Sequence, residues 1–110
     1  MNKYNQLIKK AKTYFDANQY EYACNCILDI LKTFDLDTTK KSNLYLLMAD
    51  ANAKLNKFTE ANDYLLKYLE IDLNNSKVFI SIANNYSKIR EFEKAEEYYL
   101  KAIKLDENNE

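Results

Sequence analysis

Residues 42–75 and 76–109 align with each other over 34 positions without a gap. The alignment sets Ala49 on Ala83, Phe58 on Phe92, Ala61 on Ala95 and Lys67 on Lys101. It closes with Asp72-Leu73-Asn74-Asn75 on Asp106-Glu107-Asn108-Asn109. A third, more diverged copy spans residues 4–37. A chain with this period folds by stacking one supersecondary unit on the next, and it does not close around a single globular core.

Each unit reads as two helices. In the last copy Val78, Phe79, Ile82, Ala83, Tyr86 and Ile89 recur at steps of three and four. After Arg90-Glu91 a second such stripe follows in Phe92, Ala95, Tyr98, Tyr99, Ala102 and Ile103. That spacing places apolar side chains on one helical face. The chain has no Gly and no Pro, the residues that sheets and long loops use for turning. The fold class is therefore all-α, with short turns that lay the helices of a pair antiparallel. Asn18 and Asn56 fall in two of those turns, where Asn tolerates a left-handed backbone; Arg90 in the third is less suited.

The stretch Asp35–Lys41 predicts a first inter-repeat junction four residues longer than the second. Asp37, Thr38 or Thr39 can N-cap the helix after it, and Asn74, Asn75 or Ser76 the helix after the next. Asp63 with Lys67, and Glu97 with Lys101, have the four-residue spacing of exposed ion pairs.

This pattern resembles the tetratricopeptide repeat, W-x₂-L-G-x₂-Y, then A-x₃-F, then P. Its opening bulky slot holds Leu7, Tyr45 and Phe79, and its Leu slot Lys10, Met48 and Ile82. The Gly slot holds Ala11, Ala49 and Ala83, and the Tyr slot Tyr14, Asn52 and Tyr86. In the second helix the Ala slot holds Ala23, Ala61 and Ala95. Small residues at both crossing slots let two helices approach closely. Lys10, Asn52, Tyr68 and the missing terminal Pro depart from the pattern. The resemblance implies an α-solenoid, a right-handed superhelix of three antiparallel helix pairs within one domain, residues 1–110. It also implies a protein-interaction module.

Composition narrows the function further. The net charge is −1, with Lys and Arg interspersed among Asp and Glu, so no basic stripe for nucleic acid is expected. No apolar run has the length of a membrane span, and the first residues lack a secretory core, which predicts no membrane partner and a cytoplasmic location. Cys24 and Cys26, two apart on a helix, point away from each other and cannot bridge. With no His, no Gly-rich phosphate loop and no zinc pattern, no catalytic residue, cofactor or metal is expected.

In the family the first helices of successive repeats line a concave groove. The resemblance implies a groove built from Ile8, Lys12 and Phe15, then Leu46, Leu47 and Asp50, then Lys77, Ile80, Ser81 and Asn84. Ile8, Leu46 and Ile80 share one slot and predict an apolar strip for a protein or peptide. Replacing Leu46 and Leu47 with Glu is expected to abolish binding with little loss of fold. The family's carboxylate clamp for chaperone tails maps to Ile8, Lys12, Leu47, Lys77 and Ser81, of which only Lys77 matches outright and Lys12 is a cationic stand-in. At the C-terminal end, Tyr98, Tyr99, Ile103 and Leu105 are expected to leave apolar surface open. That implies either the front of a longer array or enzyme, regulatory or dimerising, or a homodimer through this face.

Overall fold

A computed structural model describes residues 2–107. The described residues form six helices: α1 (Lys3–Asp16), α2 (Tyr20–Thr33), α3 (Thr38–Lys54), α4 (Phe58–Ile71), α5 (Ser76–Lys88) and α6 (Phe92–Glu107). No strand occurs among the described residues. Each helix packs on its neighbours in sequence, giving a stack of 44 × 29 × 21 Å. The ends of the aligned repeats, Asn108 and Asn109, lie outside the described residues.

The alanines of both crossing slots are buried: Ala11, Ala49 and Ala83 in the first helices, Ala23, Ala61 and Ala95 in the second. Around them two apolar clusters fill the space. One joins Ile27 and Ile30 of α2 to Leu44, Met48 and Ala51 of α3. The other joins Leu65, Tyr68 and Leu69 of α4 to Val78 and Ile82 of α5. Aromatic pairs tie first helix to second within each repeat, as in Phe15–Tyr20, Tyr45–Tyr64 and Phe79–Tyr98.

The turn inside each repeat is three residues long and is built the same way three times. Asn18, Asn56 and Arg90 hold φ of 62°, 62° and 65°. The amides of Gln19, Lys57 and Glu91 then donate back to the carbonyls of Tyr14, Asn52 and Tyr86 at 2.8–2.9 Å. This is a Schellman closure, and it satisfies helix-end carbonyls that would otherwise be orphaned. Arg90 occupies a conformation that a Cβ disfavours and that Asn tolerates better. Arg90→Asn is therefore expected to raise stability by about 0.5–1 kcal/mol in urea denaturation. No gain, or a loss, would show that Arg90 contributes elsewhere.

Two expectations are corrected. The junctions between repeats are equal, 34–37 and 72–75, at four residues each. The four extra residues of the first are instead the opening turn of α3, which has 17 residues against 13 in α5. Asp37 makes this possible by accepting from the Lys40 amide at 2.9 Å. Leu36, beside it, is buried in the first cluster. The Lys40 ammonium lies 4.8 Å from the Tyr4 ring, which packs edge-on against Phe34. The expected ion pairs at Asp63–Lys67 and Glu97–Lys101 do not form. Lys67 lies over the Tyr45 and Tyr64 rings and Lys101 over Tyr98, at 4.6–5.9 Å, so these lysines engage ring faces.

The absent Pro is compensated at the second junction. The Tyr68 hydroxyl donates to the Asp72 carboxylate at 3.0 Å and accepts from the Asn75 amide at 3.1 Å. Asn75 in turn caps α5, its side-chain Oδ1 accepting from the amides of Lys77 and Val78. Tyr68, a departure from the family pattern, thus fixes the entry of the next helix.

Candidate functional site

The predicted groove residues lie on α1, α3 and α5, and the structure gathers most of them around two cavities that flank α3. One cavity, of about 250 Å³, opens between α1 and α3. Lys12, Phe15 and Leu47 line it together with Ala11, Asp16 and Ile27. Its floor is apolar, and Lys12 and Asp16 stand exposed at its rim. The other, of about 280 Å³, opens between α3 and α5. Leu46, Asp50, Ser81 and Asn84 line it with Ala49, Ala53, Leu65 and Asn85. This second cavity is narrow because Ala49, Ala53 and Ser81 are small, and it is polar on its α5 side.

Ile8, Lys77 and Ile80 touch neither cavity. The shared slot of Ile8, Leu46 and Ile80 does not form a uniform strip. Ile8 and Leu46 are half-buried against the two clusters, whereas Ile80 is exposed. Leu47 likewise packs against the first cluster. Glutamate at Leu46 and Leu47 would place two charges against packed apolar surface, so the expectation of an intact fold is corrected.

Asn85 is a site residue that reading the sequence missed, and Tyr99, expected only at the end face, also reaches the groove. Asn85 is buried and donates from Nδ2 to Asn62 Oδ1 of α4 at 2.9 Å. Asn62 donates in turn to the Ile82 carbonyl at 3.4 Å. A polar residue three positions after Ile82, on an otherwise apolar stripe, was the available signal. Tyr99 reaches across from α6, and its hydroxyl donates to Asn84 Oδ1. It therefore orients a groove side chain as well as bordering the outer face of α6.

The expected end face is corrected in two places. Tyr98 turns inward, stacked on Phe79 and packed on Tyr86 at 5.6–6.1 Å between centroids. Leu105 is half-buried and lines a cavity with Leu73, Phe79, Lys101 and Lys104. Ile103 does lie exposed on the outer face.

Other chemistry is sparse. Burial pushes the Cys24 thiol above its ordinary value, outweighing the opposite pull of Lys57. A thiol so held stays protonated and is a poor nucleophile. No group of three His, Cys, Asp or Glu side chains that could hold a metal is gathered among the described residues. No described helix is long and apolar enough to cross a membrane.

Two sequence models of the tetratricopeptide repeat family match the chain, one at residues 42–75 and one at residues 76–109. The chain belongs to this family. The α1–α2 pair lies outside both matches and has the same turn and the same buried alanines as the matched tetratricopeptide repeats. Solved structures agree on the fold. MamA (MSR-1) is 23% identical with a TM-score of 0.82, over 97% of this chain and 59% of that one. PcrH in complex with the chaperone binding region of PopB is 14% identical with a TM-score of 0.76, over 96% and 83%. The first repeat domain of Spaghetti (RPAP3), bound to the HSP90 peptide SRMEEVD, is 20% identical with a TM-score of 0.74, over 97% and 82%. The chain thus spans about three-fifths of the length of the MamA structures it matches. No curated protein sequence matches it.

Proposed function

We propose that this chain is a non-catalytic protein-binding module that takes an extended or helical segment of a partner across α1, α3 and α5. The carrying observation is the pair of cavities on either side of α3, each sized for about one side chain. They differ in chemistry: the one beside Phe15 and Leu47 favours an apolar side chain, and the one beside Asp50, Ser81 and Asn84 favours a polar one. Protein and peptide partners are precedented in the fold. PcrH holds a region of PopB, and the RPAP3 repeats hold a chaperone peptide. The carboxylate-clamp reading has less support, because half-buried Leu47 stands where a polar donor is needed.

The test uses Ile80, which is exposed on α5 next to the cavity-lining Ser81 and can be changed with a cost of about 0.5 kcal/mol or less to the fold. Ile80→Glu is expected to weaken partner capture about tenfold or more, since it replaces an apolar contact with a carboxylate that the partner would have to desolvate. Affinity capture with wild type, Ile80→Glu and Leu66→Glu measures it. Leu66 is exposed on α4, on the second-helix side of the stack. If Leu66→Glu loses the partner and Ile80→Glu keeps it, binding belongs to the other surface.

A further inference from the structure

The second helix of each repeat presents one face to the repeat that follows. On α2 that face carries Cys24 and Ile27, both buried against α3. On α4 the same slots hold Asn62 and Leu65, with Leu69 one turn on, all buried against α5. On α6 they hold Glu96 and Tyr99, with Ile103 one turn on. No element of the described residues covers this third face. Phe92 and Ile103 on and beside it are 61% and 53% exposed, and Leu100, on the adjoining outer side of the stack, is 57% exposed, as Leu66 in the same slot of α4 is exposed. Two faces of this kind are interfaces already; the third keeps large side chains at Tyr99 and Ile103 but carries exposed Glu96 where Cys24 and Asn62 are buried.

The opposite end of the stack differs. The slot filled by Met48 in α3 and Ile82 in α5, both buried, holds exposed Lys10 in α1. Beside it stand Gln6 and Thr13, also exposed. A head-to-tail stack of copies would drive Lys10 into the position of Ile82, where an unpaired ammonium is costly. The outer face of α1 is thus a polar cap, and a second copy does not dock there.

The ridge of α6 that borders this face, on the outer side of the stack, is self-complementary. Phe92, Glu96, Leu100 and Lys104 follow one another at four-residue steps along a single ridge, and all four are exposed. Glu96 and Lys104 lie four residues before and after Leu100. When two such helices cross antiparallel about a two-fold axis beside Leu100, each Glu96 meets Lys104 of the second copy, and Leu100 meets Leu100. We propose that two copies of this chain associate through α6 in this way, Glu96 pairing with Lys104 across the axis. One helix from each copy covers less than the roughly 1,200 Å² of a tight interface, so the association is concentration-dependent.

Sedimentation equilibrium of the 110-residue chain at low salt tests this, from about 10 to 500 µM, the range set by a small interface. Wild type is expected to pass from monomer to dimer in that range. Glu96→Lys and Lys104→Glu should each weaken the dimer about tenfold, since each replaces two attractive contacts with two repulsive ones. Mixing the two single variants should restore association, because every contact across the axis is again between opposite charges. Circular dichroism of each variant confirms that the exposed substitutions leave the helices intact. A wild type that stays monomeric throughout overturns the proposal. So does a dimer that survives both single changes, or a mixture that fails to recover, since either would place the contact elsewhere or with a different partner.

Discussion

Ala61→Leu is expected to destabilise the fold by about 3 kcal/mol or more, enough to leave much of a small domain unfolded. Ala61 is fully buried on α4, which packs against α3 on one side and α5 on the other. Inserting three further carbons into a packed core costs typically about 1–3 kcal/mol through displaced rotamers and backbone. Here the added volume meets two helix interfaces at once. Helix axes separate by about 8–10 Å according to the side chains at the crossing, and Ala sets the short end of that range. Urea denaturation followed by circular dichroism measures the loss. Thr59→Leu, at an exposed position on the same helix, is the control and should move stability by about 0.5 kcal/mol or less. If Ala61→Leu costs under about 1 kcal/mol, the alanines do not set the spacing of the helices.

The buried amide pair gives the second large effect. Asn85 Nδ2 donates to Asn62 Oδ1 at 2.9 Å, and both side chains are nearly sealed from water. Asn85→Ala leaves the Asn62 oxygen without this donor in a dry setting, which costs about 1–3 kcal/mol beyond the lost packing. Replacing both partners with apolar residues, Asn62→Leu with Asn85→Ala, removes the stranded group as well as the bond. The double variant should therefore lie closer to wild type than Asn85→Ala alone. A double-mutant cycle should give a coupling of about 1 kcal/mol or more. Strict additivity would show that water already serves Asn62 Oδ1.

Much of the fold could be read from the chain because the alanines recur in fixed register. Six small residues at two slots specify where helices cross, and the stripes around them specify which faces meet. The opening turn of α3 was hidden for a local reason. Asp37, Thr38 and Thr39 can all cap a helix, and only the structure shows that Asp37 does so, four residues ahead of the 34-residue period. Lys10 looked like a defect of the first repeat. It is instead the polar outer side of a helix with no repeat packed before it among the described residues.

The site was harder to read. Leu46 and Leu47 are adjacent and equally apolar, yet each packs into a different cluster, and neither is simply groove floor. Tyr98 and Tyr99 are adjacent and identical. A rotation of about 100° per residue sends one ring to Phe79 and Tyr86 and the other to Asn84. The alignment held part of that answer, since Tyr98 falls on Tyr64 and Tyr99 on buried Leu65. Composition alone did not reveal it.

Helices here lean chiefly on the ones before and after them in the chain. An assembly of that kind behaves like a zipper: under tension it parts one hairpin at a time, and a lesson learned by one hairpin travels only as far as its neighbour. Damage near Asn85 would loosen α4 through α6 while α1 and α2 kept their packing, so part of the binding surface could outlast the loss of the rest.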